Sequence, residues 1–245
     1  SSEQRKPSLN EAVSVAVQSL QGETGSGRHI VVIAQPKSAS TFLANILSVL
    51  TGFPVTKYSD PHIYDYAFSY GVARRIRDQN AIIHLHSRPT VPLIGWLKVK
   101  GTVPAILHRN LADSLVSLYD HARASGYKTD DKLDSVAREI GLKATAYSWA
   151  GWLIRYEAHW SGNLRNKVLD GLWIDYADLV AKPEVFVQDI LARNGFEFDL
   201  VSCRAAVEQV SGDRVRSNLN KGVAGRGADL PADLLKDLDA IRKAI

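Results

Sequence analysis

The sequence predicts an α/β fold, a single domain with a central parallel β-sheet flanked by helices on both faces. Three observations predict it. Short apolar runs rich in β-branched residues, at 30–34, 81–85, 103–107 and 172–174, read as buried strands. Stretches with apolar residues at helical spacing lie between them, which gives the alternation of βαβ units. At 245 residues the chain can bury a large core, and no repeat, coiled coil or low-complexity tract interrupts it.

Taken in order, residues 1–28 read as an N-terminal helix and a Gly-rich connector, and residues 29–245 as the main domain. Leu9 to Leu20 has amphipathic spacing, and its apolar face is predicted to pack on that domain. Gly22, Gly25 and Gly27 have the glycine spacing of a nucleotide phosphate loop, but Arg28 and His29 stand where Lys and Ser or Thr belong. The segment also precedes its strand, so it reads as a flexible connector. After the strand at 103–107, Leu111, Leu115, Leu118, Tyr119 and Ala122 form a stripe expected to face the core. Trp149, Trp152, Leu153, Tyr156 and Trp160 fall at helical spacing too, and read as core or pocket wall instead of a base-stacking platform.

The most informative segment follows the first strand. The apolar run breaks at Pro36, and Lys37, Ser38, Ala39, Ser40 and Thr41 come before the next helical pattern begins at Phe42. The first N–H groups of a helix have no intrahelical partner, so a strand delivering the chain to such a helix start makes an anion site. Lys37 adds charge and the hydroxyl residues add donors. The phosphate loop of nucleoside triphosphate enzymes needs glycines in this place, and here there are none. Ala39 resists positive φ, so loop geometry is where the substitution should show.

Pro36, Lys37, Ser38, Ala39, Ser40, Thr41 and Phe42 resemble the first motif of sulfotransferases that use 3′-phosphoadenosine 5′-phosphosulfate (PAPS), with Ala39 in place of a glycine. Residues 103–117, with Arg109, Asn110, Asp113 and Ser117, look like the second motif of that family. The segment from Trp173 through Tyr176 to Glu184 resembles the stretch after its last core strand, and residues 220–227 resemble its Gly-rich C-terminal loop, with Asn220 replacing an Arg. The parts occur in the family's order and span most of the chain. The resemblance implies a sulfotransferase architecture related to that of the P-loop nucleotide enzymes. It further implies PAPS as co-substrate and 3′-phosphoadenosine 5′-phosphate (PAP) as product, without a metal. Lys37, Ser38, Ala39, Ser40 and Thr41 would hold the 5′ end, Phe42 would pack on the adenine and Tyr176 would sit near it. Arg109, Ser117, Lys221 and Gly222 would read the 3′-phosphate. An Arg fork suits a dianion independently of any family.

A base for the acceptor must titrate near neutrality, which favours histidine. The resemblance places it in the segment 81–89, where His84 and His86 are both candidates; His86 is preferred because it lies nearer the strand end, with His84 as the alternative. His62, His108 and His121 are weaker candidates, and His108 more simply supports its strand. Lys37 is the other expected catalytic group, stabilising charge on the leaving oxygen. Two rivals remain: a small-molecule kinase, which would need ATP and Mg²⁺, and a degenerate PAP or nucleotide-binding domain without turnover.

Thirty basic and 26 acidic residues give a net charge of +4, too small to call for nucleic acid. A single cysteine, Cys203, allows no intramolecular disulfide, and no His/Cys cluster suggests a metal. No apolar run is long enough to span a membrane and no signal pattern is visible, so a cytoplasmic setting is the expectation, with an upstream anchor or fusion left open. The expected acceptor is a small molecule or a carrier-bound group, and its identity is left open. Residues 58–70 and the aromatic helix at 149–160 are candidates for its pocket, and the oligomeric state is left open.

Overall fold

The computed structural model describes residues 7–22, 25–57, 68, 70–124, 134–213 and 225–244. Among these, β1 (His29–Ala34), β2 (Val55–Lys57), β3 (Ala81–Leu85), β4 (Ala105–His108) and β5 (Leu172–Asp175) form one parallel sheet in the order β2-β3-β1-β4-β5. The helices before β4 are α1 (Leu9–Leu20), α2 (Ser40–Thr51), α3 (Tyr70–Ile76) and α4 (Val91–Lys100). After it come α5 (Leu111–Ala124), α6 (Asp134–Arg165), α7 (Tyr176–Ala181), α8 (Pro183–Arg193), α9 (Leu200–Ser211), a 3-10 turn (Arg226–Asp229) and α10 (Ala232–Ala244).

Side chains alternate across a strand, so β1 feeds two cores at once. Ile30, Val32 and Ala34 pack with Phe42, Ile46 and Leu47 of α2 and with α8 and α9. Val31 and Ile33 pack on the opposite face with Leu93 and Trp96 of α4 and with Tyr156 and Trp160 of α6. A third cluster joins α5, α6 and α10 through Leu115, Leu153 and Leu234. Burial on both faces is what an unbroken apolar strand needs, and it places β1 at the centre of the sheet.

Helix α1 spans the predicted range, starts at a capping box between Ser8 and Glu11, and buries Val13 and Leu20. It packs on α4, where a Cβ on Gly95 would stand 2.9 Å from that of Ala16. The following segment is tied down over residues 25–28, contrary to the expectation of a flexible connector. Gly27 donates its N–H to Arg77 O, Ser26 to Asp78 Oδ1 and Arg28 to Asn80 Oδ1, while Lys100 Nζ donates to Gly27 O. Gly27 is required there, because a Cβ would stand 2.7 Å from the backbone nitrogen of Gln79.

Three other readings change. β4 begins at Ala105, since Pro104 has no N–H to give to a sheet ladder. β2 was not predicted; it is a three-residue edge strand, too short for a periodic signal. Ala122 is exposed, so the α5 stripe stops at Tyr119. The aromatic row of α6 is core: Tyr156 and Trp160 are fully buried, with their polar atoms satisfied by Leu107 O and Ser87 O. Among the described residues, no helix is long and apolar enough to cross a membrane.

Candidate active site

The loops after β1, β3 and β4 meet at the C-terminal edge of the sheet, where ligands of open α/β sheets bind. After Ala34 the chain turns sharply through two left-handed residues, Lys37 at φ 68° and Ala39 at φ 65°. Ala39 is the residue preceding α2, and it gives no side-chain cap. The uncapped helix start therefore keeps donors for an anion. Left-handed backbone costs an L-residue about 1–2 kcal/mol, so this loop is held open by its surroundings.

Those surroundings are specific. Ser38 is buried and donates its Oγ–H to Gln35 O across 2.6 Å, so this hydroxyl braces the turn. Ser40 Oγ pairs with His84 Nε2 at 2.8 Å, linking the start of α2 to β3. Thr41 is half-buried beside them. Phe42, expected against an adenine, is 3% exposed and packs in the core on the α2 face.

Gln35 was not singled out from the sequence. Its side-chain Oε1 accepts the backbone N–H of Arg109 at 2.6 Å, and its backbone N–H is donated to Leu107 O, so one buried residue couples the ends of β1 and β4. The available signal was a polar residue between an apolar strand and Pro36. Arg109 is 5% exposed. Its Nη1 donates to Lys37 O at 2.9 Å, and its guanidinium lies 3.9 Å over the ring of Tyr176, the first residue of α7. Burial is the main force against its charged form, opposed by Tyr176 and Asp113 and reinforced by Arg226.

Lys37 is held below the usual lysine value, first by burial and then by repulsion from Arg109. The same ammonium is the main reason that His121 titrates low, which puts His121 on the Lys37 side of α5. Ser117 is buried two turns into α5 from Arg109. Two cations and a helix start therefore converge, and an anion would relieve their mutual repulsion.

At the end of β3, the His84 and His86 rings lie 4.8 Å apart, edge to face. His86 Nδ1 is 2.9 Å from Ala34 O. A carbonyl can only accept, so Nδ1 carries a proton and a neutral His86 presents an unprotonated Nε2. His84 is instead engaged with Ser40. His108 stacks on Trp173 at 4.3 Å and lies 3.7 Å from Asp175 Oδ2, in keeping with a strand-supporting role. Asn220, Lys221, Gly222 and His62 lie outside the described residues, as does most of 58–70. Among the described residues, no group of three or more His, Cys, Asp or Glu is placed to hold a metal ion.

No family model and no curated protein matches the sequence. The fold does match solved structures. Mouse sulfotransferase SULT7A1, complexed with PAP, superimposes with a TM-score of 0.64 at 15% identity, over 92% of this chain and 86% of that one. The chain has the sulfotransferase fold. Retinol dehydratase shares it: its complex with androsterone and PAP gives a TM-score of 0.55 at 10% identity, over 94% of this chain and 85% of that one. Its complex with retinol and PAP gives 0.55 at 11%, over 93% and 85%. At such identities the likeness speaks for the sulfotransferase fold alone.

Proposed function

We propose that this protein transfers the sulfuryl group of PAPS to a hydroxyl or amine of an acceptor and releases PAP. The observation that carries the reading is Arg109: its backbone N–H is held by Gln35 Oε1 and its buried guanidinium by the Lys37 carbonyl and the Tyr176 ring, at the edge of the left-handed loop that carries Lys37. A rigid fork of donors beside an uncapped helix start suits a nucleotide with phosphate at two positions. That structures with this fold were obtained with PAP supports the same reading.

PAPS, when bound, supplies a sulfuryl group whose bond to the bridging phosphate oxygen is weak enough to break in line with an incoming acceptor. Lys37 stabilises the negative charge left on that oxygen, and its unfavourable ligand-free charge makes the gain larger. Backbone amides from Ser38 to Thr41 hold the 5′ end, while the Ser38 and Ser40 hydroxyls keep the loop in shape. Arg109 and Ser117 read the 3′-phosphate, and Tyr176 holds Arg109 level beside the adenine. Lys221 and Gly222 are assigned to the same phosphate from the sequence motif. His86 takes the acceptor proton at Nε2, with Ala34 O fixing the tautomer. These cations neutralise the charge, and the scheme invokes no metal.

The acceptor is a small molecule or a carrier-bound intermediate, and the proposed setting is cytoplasmic. The test is PAP release from PAPS against a panel of phenols, sterols, sugars and carrier-bound hydroxyacyl groups. Acceptor-dependent release that Lys37→Ala abolishes is the expected result. Tight PAP binding with no release on any acceptor would favour a nucleotide-binding domain without turnover.

A further inference from the structure

Away from the sheet edge, the last turns of α6 do not close on the start of α4. Ala158 and Gly162 stand four residues apart on α6 and so share a face, which leaves a cleft of about 350 Å³ against Val91 and Ile94 of α4 and Val168 beyond α6. Small residues keep it open: a Cβ built on Gly162 meets no neighbouring atom within 4 Å. The volume lies near the lower end of the range for small-molecule sites, about 300–1,000 Å³. Leu9, the first residue of α1, also lines the cleft and is 45% exposed. The cleft is on the opposite side of the sheet from α2. Ile94 and Val168 belong to the core that holds Ile83 and Leu85, whereas α2 packs on the other face, where Ser40 pairs with His84.

One wall is polar and incomplete. Asn163 lines the cleft, is 9% exposed and donates Nδ2–H to His159 O at 2.7 Å, which fixes the orientation of its amide. Its Oδ1 is buried and has no hydrogen-bond partner among the described residues. A buried acceptor without a donor is costly, and native interiors seldom keep one. No Asp, Glu, Lys or Arg lines the cleft. His159 does, and it titrates below its ordinary value, first through burial and then through Arg88 and Arg155, so the lining is uncharged at neutral pH. We propose that this cleft is a second small-molecule site, separate from the proposed PAPS site, for a compact, neutral, largely apolar molecule carrying one N–H or O–H donor that Asn163 Oδ1 accepts. The apolar body covers Val91, Ile94 and Val168, and the donor completes the amide. A charged ligand would lose its hydration against walls that offer no counter-ion. The site stands whether or not the protein transfers sulfuryl groups.

NMR titration of the wild type with indole and with benzofuran tests the proposal, because the two rings have nearly the same shape and only indole has a donor. Both should shift the amides of Val91, Ile94, Gly162 and Val168 saturably. Indole should bind about threefold to tenfold tighter, the usual worth of one hydrogen bond. Saturating PAP should leave both affinities unchanged. Gly162→Leu should abolish binding of both rings by filling the cleft, and leucine suits a helix better than glycine does. Asn163→Leu should remove the preference for indole while benzofuran still binds. Should a variant fail to fold, the two wild-type titrations decide alone. No saturable shift with either ring, equal affinity for the two, or displacement of indole by PAP would overturn the proposal.

Discussion

His86 gives its Nδ1–H to the carbonyl oxygen of Ala34 across 2.9 Å, tying the segment after β3 to the last residue of β1. That bond puts the proton of a neutral His86 ring on Nδ1, whereas His84 pairs its Nε2 with Ser40 Oγ. Replacing His86 with Ala should cut turnover by about 10²–10⁴, the usual worth of a positioned base, with little change in PAP affinity. His84→Ala should act differently, weakening PAP binding by loosening Ser40. Steady-state turnover and PAP titration on both variants separate the two roles.

Lys37 predicts a pH dependence. Its pKa in the fold lies below 10.5, because burial and Arg109 disfavour the charge. Between the lowered value and 10.5 the unfolded chain binds more protons than the folded one, so the Lys37 contribution to stability rises with pH across that window. PAP affinity should move the opposite way, falling as pH rises through the lowered value. Lys37→Arg should remove the fall, since guanidinium stays protonated there. A Lys37→Met variant should also bring His121 back up toward its ordinary pKa, readable by NMR titration.

Tyr176 holds Arg109 by its face, so the ring matters more than the hydroxyl. Tyr176→Phe should leave PAP binding nearly unchanged. Tyr176→Ala should lose about 0.5–2 kcal/mol of cation–π contact and free the guanidinium, weakening PAP more than AMP. Calorimetry on the pair of variants gives the comparison directly.

Ala39 sits at φ 65°, where glycine has no steric penalty. Relief of about 1–2 kcal/mol of left-handed strain, less about 0.4–1 kcal/mol of added unfolded-state entropy, leaves Ala39→Gly more stable by on the order of 0.5–1 kcal/mol. Denaturant unfolding should show this, with turnover unchanged or improved.

The strand cores and α1 were legible in the sequence because both rest on periodic burial: Ile30 to Ala34 is apolar at every position, and Leu9 to Leu20 is apolar on one face. Lys37 and its hydroxyl neighbours stood out as a loop between a strand and a helix, and Arg109 through its resemblance to the family's second motif. What binds these parts together was not legible. Gln35, Asp113 and Asp120 act through partners far away in the chain, and nothing local in the sequence marks a side chain that will accept an amide from a distant turn. Phe42 shows the reverse, since a residue next to a binding loop can still belong to the core. The connector misled for a related reason: its glycines permit flexibility, but Arg77, Asp78, Asn80 and Lys100 use them for close packing.

The central claim is that this site reads a 3′-phosphate, and calorimetric titration of the wild type and Arg109→Ala with PAP, AMP and ATP·Mg²⁺ tests it most directly. The account predicts tight PAP binding that AMP cannot match, with the difference collapsing in Arg109→Ala. Equal affinity for PAP and AMP, or a preference for ATP·Mg²⁺, would contradict it and favour a kinase.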